Sequence, residues 1–138
     1  MKVTQQSIDE VQPYENNPRE NEEAVEAVAA SIREYGFRQP IVVDEEGVII
    51  AGHTRYKAAR KLELEQVPVH VASGLSPEQI RAYRLADNAT RDLSSWDFDL
   101  LPIELGALQD AEYDLGLIGF PEDELAELMD SGEVKDGL

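Results

Sequence analysis

The clearest periodic pattern in the chain is an apolar stripe at helical spacing in its first quarter. Asn21 precedes this stripe and Gly36 follows it, so we predict one amphipathic helix between the two residues. The stripe consists of Val25, Val28, Ala29, Ile32 and Tyr35.

Short β-branched runs predict a small sheet. Ile41–Val43 and 48–51 are apolar and are separated by four turn-forming residues, which predicts a hairpin. The segment up to Tyr14 is predicted as a short strand or extended lead-in, and 67–71 as another strand. Pro68 cannot donate a backbone hydrogen bond, so we expect this last strand to lie at an edge or to be paired on one side only at that point.

A helix start is indicated at Ser76, where the next residues are Pro77, Glu78 and Gln79. A serine cap, a proline at the first helical position and a glutamine in the capping-box position favour a helix from Pro77 to about Asn88. We predict that Ile80, Tyr83 and Leu85 face inward.

Beyond Leu93 the sequence becomes leucine-rich and acidic, with apolar spacing that predicts two more helices. We therefore predict an α+β domain at residues 1–93 and a helical extension at 94–138 that packs on the domain or on a partner.

The formal charge of −17 is concentrated in that extension. From Asp92 onward there are 14 acidic residues and one basic residue, Lys135, which leaves −4 for residues 1–91. The first two thirds of the chain can carry a local basic pocket, whereas the last third repels nucleic-acid phosphates.

The composition excludes several classes of chemistry. The chain has no cysteine, so disulfides, cysteine-based zinc sites and thiol nucleophiles are absent. No apolar run approaches the ~20 residues that a membrane-spanning helix needs, and we expect a cytoplasmic protein without membrane contact.

A candidate anion site lies where a strand meets a basic helix, at 48–62. Gly52 permits close approach of a ligand to the backbone, and a helix that starts after it presents amide groups and a positive dipole end. Thr54 and Arg55 add a hydroxyl and a forked cation suited to phosphate. The alternative is a basic helix with a merely solvated face.

Asp87 and Asn88 are unusual near the predicted helix end, because both are poor helix formers and an acid opposes the C-terminal dipole. They either have a function or mark an ordinary helix exit. His53 either acts as a phosphate donor or acid–base group, or holds its loop by a hydrogen bond. We treat His70 as structural.

Taken together, these segments resemble the N-terminal domain of the ParB/sulfiredoxin superfamily, in particular stand-alone ParB-like (ParB-like nuclease) domains of phages or of methyltransferase-associated systems. The resemblance covers roughly Val3 to Leu93. It rests on four motifs in order: Asn17-Pro18-Arg19, Gly36-Phe37-Arg38-Gln39-Pro40-Ile41, Ala51-Gly52-His53-Thr54-Arg55-Tyr56 and Asp87-Asn88-Ala89-Thr90-Arg91.

The resemblance implies a small mixed sheet packed with helices and a site for a nucleoside triphosphate, CTP or ATP, with Mg²⁺. By position, Asp87 and Asn88 are the implied magnesium ligands, and His53 and Asp87 the candidate catalytic residues of a slow hydrolase or switch. The implied nucleotide-binding residues are Gly52, His53, Thr54, Arg55, Arg91, Gln39, Arg38 and Arg19.

Departures from the family pattern narrow the functions that transfer. His53 stands where partition proteins usually carry Glu and sulfiredoxins carry their catalytic Cys, which removes reductase chemistry. Ala51 replaces the acid that free-serine kinases tend to carry, but a small-molecule kinase of that type, with Glu20 or Glu15 as base, remains an alternative. A DNA-binding protein or nuclease is a further alternative, although no two-metal carboxylate pattern is present. A fourth is an interaction domain that has lost nucleotide binding.

We find no helix-turn-helix segment of the partition-protein kind, so we expect no direct DNA binding. The acidic extension instead suits docking to a protein partner, a DNA methyltransferase or a phage protein.

Overall fold

The computed structural model describes residues 1–15, 22–92 and 95–136, with the backbone alone described at 90–92 and 130–136. The chain divides into two compact units, Met1–Leu93 and Ser94–Leu138.

The first unit is built on a four-stranded mixed sheet. Its strands are β1 (Thr4–Ser7), β2 (Ile41–Val43), β3 (Ile49–Ala51) and β4 (Gln66–Val71), in the order β1-β4-β2-β3. β4 runs antiparallel to β1 and parallel to β2, and β2 and β3 form the predicted hairpin.

Three helices accompany the sheet: α1 (Glu22–Tyr35), α2 (His53–Lys61) and α3 (Pro77–Asp92). α1 ends as predicted at Gly36, whose φ is +89° and whose amide donates to the Ile32 carbonyl at 2.8 Å. This is the left-handed conformation that glycine adopts at helix ends.

The core of this unit lies between the sheet and α2. β2 and β3 consist of apolar residues, of which all but Val42 are buried; Ile41 and Ile49 are both fully buried. Ala58 and Ala59, also fully buried, let α2 approach α1 and the sheet closely. Each buried isoleucine contributes roughly 1.5–3 kcal/mol. The α+β fold class is confirmed.

β4 is an interior strand, so the predicted edge position is wrong. The other predicted possibility, pairing on one side only at Pro68, is confirmed. Pro68 pairs only with Gln5 of β1, because the register with β2 begins at Val69. The missing N–H therefore falls where the strand has one partner.

α3 begins at the predicted capping box, since Gln79 N–H donates to Ser76 Oγ at 3.1 Å and Ser76 N–H to Gln79 Oε1 at 2.9 Å. It continues to Asp92, four residues past the expected end. Tyr83 and Leu85 are 38% and 56% exposed, so their predicted inward orientation is wrong.

The second unit contains α4 (Leu101–Asp110), a 3-10 turn at Leu115–Leu117 and α5 (Glu122–Asp136). Leu105 and Leu128 are its buried residues among those described. Throughout the described ranges, every helix is too short or too polar to cross a bilayer.

Candidate functional site

Gly52 forms the turn between β3 and α2. Its φ is +108°, and a Cβ at this position would lie 3.0 Å from Arg55 Nη2 and 3.3 Å from Ile41 Cα. The first amide that bonds within α2 is that of Tyr56, which donates to the Gly52 carbonyl at 2.9 Å. Gly52 has no side chain to cap the helix, so the amide groups of the first turn are presented at a positive dipole end.

A cleft of about 570 Å³ opens between α1 and the start of α2, a size within the ~300–1,000 Å³ of small-molecule sites. One side is largely apolar and comes from α1 and Phe37; the other is polar and comes from the segment before β2 and the first turn of α2. The lining residues are Ala24, Val28, Ser31, Ile32, Tyr35, Gly36, Phe37, Arg38, Gln39, Thr54 and Arg55.

The apolar stripe of α1 therefore has two parts. Val25 and Ala29 are buried, at 5% and 3% exposure, whereas Tyr35 is 41% exposed. Val28, Ile32 and Tyr35 face the cleft. Val28 and Ile32 are partly buried against the core and also line the cleft, so the stripe contributes to both.

Arg55 joins the two elements of the polar wall. Its Nη2 donates to the Pro40 carbonyl at 3.0 Å and its Nη1 to Gln39 Oε1 at 3.4 Å. Arg38 is held on the same rim by its Nε, which donates to the Tyr35 carbonyl at 2.8 Å. The structure thus brings together four residues that the motifs marked: Arg38, Gln39, Thr54 and Arg55.

His53 has a different environment. The Tyr14 amide donates to its Nε2 at 3.1 Å. Burial, together with the charges of Arg84 and Lys57, lowers the pKa of His53 from 6.5 to about 4, against an opposing effect of Asp87. A neutral ring that accepts at Nε2 carries its proton on Nδ1. This geometry favours the loop-holding reading of His53, and its catalytic role stays a prediction.

Asp87 and Asn88 lie on the covered face of α3. Asn88 Nδ2 donates to the Arg84 carbonyl at 3.2 Å. Asp87 lies near enough to the start of α2 for its charge to act on His53. Both residues belong to a half-buried face of α3 that is polar except for one isoleucine: Ile80, Arg84, Asp87 and Asn88.

These two residues fit a magnesium ion only in part. Among the described residues, no group of three or more His, Asp or Glu side chains is placed to hold a metal. As consecutive residues of α3, Asp87 and Asn88 diverge within this half-buried face, so Asp87 could serve as a direct ligand and Asn88 only as a supporting residue. Mg²⁺ bound with a nucleotide needs only one or two carboxylates besides phosphate and water. Asp87 supplies one carboxylate.

Sequence reasoning missed the residues that connect these parts. Arg84, 11% exposed in its side chain, places its Cζ 3.8 Å from the centroid of the Tyr14 ring, and its Nε donates to the Ile49 carbonyl at 2.9 Å. The available signal was the spacing of Ile80, Arg84 and Asn88 on one helical face. Because Arg84 is charged, the spacing does not read as an inward helical face.

Other predicted site residues are placed incompletely. Arg19, with the Asn17-Pro18-Arg19 motif and Glu20, lies outside the described residues. Arg91 lies within α3, where only the backbone is described.

Two family profiles match this chain. Residues 1–89 match the profile of the ParB N-terminal domain, and residues 99–137 match that of the ParB-methyltransferase HTH domain. The ParB-like nuclease domain-containing protein YnaK of Escherichia coli (strain K12) is 41% identical over 80 residues, which are 57% of this chain and 92% of YnaK. The chain spans only 30–36% of the curated partition and nucleoid occlusion proteins that it also matches.

Two solved structures share the fold. ParB of Caulobacter crescentus, truncated at its C-terminus and complexed with CTP-gamma-S, superposes with a TM-score of 0.73 at 24% identity, over 99% of this chain and 89% of that one. Sulfiredoxin of Arabidopsis thaliana superposes with a TM-score of 0.51 at 23% identity, over 60% of this chain and 97% of that one.

The match at 99–137 corrects one expectation. We expected no helix-turn-helix segment, and that was wrong: α4 and α5 lie within a segment that matches such a domain. Helix packing depends on the spacing of apolar residues rather than on surface charge, so an acidic segment can still match such a domain.

Proposed function

Because the chain belongs to the ParB N-terminal domain family, we propose that residues 1–93 bind a nucleoside triphosphate, CTP or ATP, with magnesium, and act as a slow hydrolase or nucleotide-dependent switch. The observation that carries the proposal is the cleft with one apolar wall from α1 and one polar wall that includes Thr54 and Arg55. An apolar wall suits a heterocyclic base, and the polar wall suits phosphates.

The start of α2 supplies the chemistry for the phosphate end. A helix N-terminus favours an anion, the Thr54 hydroxyl is a donor, and the Arg55 guanidinium is a forked cation. α2 has no acidic residue in its first turn to compete for this position. Gly52 allows the chain to turn there without a Cβ against Arg55.

The metal side of the site is assigned to α3. Asp87 would hold magnesium together with phosphate oxygens, and Asn88 would support it from the same helix. Bound magnesium neutralises phosphate charge. Asp87 is also the candidate for orienting a water molecule, since His53 accepts a hydrogen bond from the Tyr14 amide.

CTP is the first nucleotide to test, because the Caulobacter crescentus ParB that shares the fold is complexed with CTP-gamma-S. A likeness at 24% identity establishes the fold alone, so the base preference of this chain is a matter for measurement.

The deciding experiment is calorimetry of the full chain with CTP, ATP and GTP, each with and without Mg²⁺. We expect one nucleotide to bind with a micromolar to sub-millimolar Kd, and Arg55→Ala to weaken it by about tenfold or more, since a charge-assisted bond to phosphate contributes roughly 1.5–3 kcal/mol. Arg33→Ala, an equal change of charge on the exposed surface of α1, is the control. If millimolar nucleotide with Mg²⁺ gives no heat of binding, the proposal fails.

For the second unit we propose docking to a protein partner with a basic surface, a DNA methyltransferase or a phage protein being the candidates, within a DNA-modification or partition system. The specific observation is the combination of exposed apolar side chains with acidic charge. Trp96, Phe98, Leu100 and Ile103 are each 56–65% exposed, and the residues from Asp92 onward carry −13. Exposed apolar side chains favour a protein interface, and the negative charge opposes DNA.

A further inference from the structure

α3 covers the first unit with a polar face, and Arg84 is at its centre. Of the four half-buried residues on this face among the described side chains of α3, only Ile80 is apolar. Burying an arginine costs desolvation energy, and replacing a buried ion pair by apolar residues is often neutral or stabilising. Stability alone therefore gives a weak account of an arginine at this position.

The Arg84 guanidinium joins two segments that are distant in sequence to α3. Its Nε donates to the carbonyl of Ile49 in β3 at 2.9 Å, and its Nη2 lies 3.6 Å from Asp44 Oδ2. Asp44 is itself fixed in the hairpin turn, since its Oδ1 accepts from the Val48 amide at 3.0 Å. The face of the same guanidinium lies on the Tyr14 ring.

Tyr14 belongs to a segment that is tied to the start of α2. Gln12 pairs with the hairpin through its amide, which donates to the Gly47 carbonyl at 2.9 Å, and through its carbonyl, which accepts from the Ile49 amide at 2.8 Å. The Tyr14 amide then reaches His53, the first residue of α2. The position of residues 12–15 is thus set by the hairpin, α2 and Arg84 together.

The backbone of Arg84 also contacts Asn88, one of the two residues assigned to the metal side. Its carbonyl accepts from Asn88 Nδ2, which fixes the orientation of that amide. Asp87, one residue earlier, acts on His53 through its charge. One side chain and its own carbonyl therefore link the phosphate side of the proposed site, at the start of α2, to its metal side on α3.

We propose that Arg84, stacked on Tyr14, is a positioning residue that holds Asp87 and Asn88 of α3 in place against the start of α2, so that magnesium and phosphate are bound together. The inference rests on the proposed nucleotide function. Arg84 acts through Asp87 and Asn88 and is not assigned a contact with the nucleotide.

The test separates metal-dependent from metal-independent binding. Kd values for CTP and ATP are measured by calorimetry, with Mg²⁺ and with EDTA, on the wild type, Arg84→Lys, Tyr14→Leu and the double variant. Arg84→Lys keeps the charge and loses the planar fork and the stack. Arg81→Lys, the same substitution on the exposed face of α3, is the control.

We expect Arg84→Lys and Tyr14→Leu each to reduce the gain in affinity from Mg²⁺ by about tenfold or more, as loss of a supporting residue does at metal sites. Affinity in EDTA should stay within about twofold of the wild type, and the double variant should be no worse than the poorer single one, because the two residues act as a unit. Arg81→Lys should match the wild type.

Two results would overturn this inference and leave the proposed function standing. In the first, both variants bind nucleotide as tightly as the wild type. In the second, the variants lose the same factor of affinity with Mg²⁺ and with EDTA, as general destabilisation produces. A wild type that binds no nucleotide overturns the proposed function and the inference together. A far-UV circular dichroism melt of each variant shows that it is folded at the temperature of the titration.

Discussion

His53 shows how the same residue can be read in two ways until its partners are known. In the sequence it follows the glycine of an anion motif, and a histidine there is a plausible donor to phosphate. In the structure its Nε2 accepts the Tyr14 amide, and its pKa is lowered to about 4. At neutral pH the ring is therefore uncharged and contributes to the order of residues 12–15.

The lowered pKa predicts a pH dependence of stability. In the unfolded chain His53 binds a proton near pH 6.5, but in the folded chain it does so only near pH 4. Between these values the unfolded state holds more protons at His53, so the contribution of His53 to stability is greatest above about pH 6.5 and falls as the pH is lowered towards 4. Urea unfolding at pH 7.5, 6.0 and 5.0, followed by circular dichroism, measures this fall.

His53→Gln is the variant that isolates this residue, because a glutamine oxygen accepts a hydrogen bond and does not titrate. We expect it to lose less stability than the wild type between pH 7.5 and 5.0. His70→Gln, the same substitution at the other histidine of the chain, is the control; the His70 Nδ1 lies 2.8 Å from the Lys2 carbonyl. Equal slopes for the wild type and His53→Gln would show that other groups set the pH dependence.

Among the elements, the turn at Gly52 determines where α2 begins and how closely Arg55 approaches β2. The backbone conformation at φ +108° is one that residues with a Cβ rarely adopt, and the space for a Cβ is taken by Arg55 and Ile41. The anion motif and the tight packing of α2 therefore depend on the same glycine.

Gly52→Ala should destabilise the protein by about 1–3 kcal/mol, the cost of a strained backbone, and weaken nucleotide binding because Arg55 must move. The matched control is Gly106→Ala, since Gly106 lies within α4 and an added Cβ there meets nothing within 4 Å. That change should be neutral or stabilising by up to about 1 kcal/mol. Urea unfolding and calorimetry give both quantities, and wild-type behaviour of Gly52→Ala would contradict the proposed strain.

Elements with an unbroken apolar period were predictable. α1 and the β2–β3 hairpin lie where their patterns place them, because burial of one apolar face or run determines both. The inward face of α3 was not predictable, because Arg84, Asp87 and Asn88 stand there in place of apolar residues. Tyr83 and Leu85 were chosen instead and are exposed. A polar face is stable only through long-range partners, and those partners do not show in the local sequence.

For the whole molecule, the distribution of charge is the property on which the expected partners depend. Residues 99–137 match a helix-turn-helix domain, which by itself suggests DNA, yet α5 begins with Glu122, Asp123 and Glu124. Acids in the first turn stabilise a helix through its dipole but repel phosphate. Helical architecture and DNA binding are therefore separate questions for this unit.

We expect the full chain to bind duplex DNA no more tightly than about 10⁻⁴ M at 150 mM salt, the weak limit of non-specific binding. Mobility shift and anisotropy at 50, 100 and 200 mM salt, with and without CTP and Mg²⁺, measure this. Tight binding that weakens steeply with salt would instead show that the second unit binds DNA. Lys57→Gln with Lys61→Gln then tests whether the basic residues of α2 are responsible.

The sequence by itself determined the class of fold, the ends of α1, the hairpin, the capped start of α3 and the residues on the polar side of the cleft. All of these follow from local spacing, turn chemistry or motif order, which act over a few residues. The tertiary structure decided that part of the α1 stripe forms a cleft wall, that His53 faces Tyr14, and that Arg84 joins α3 to the hairpin. These outcomes depend on which surfaces, distant in sequence, come into contact. Many local patterns allow apolar area to be buried, and only the packing of the whole domain determines which arrangement forms.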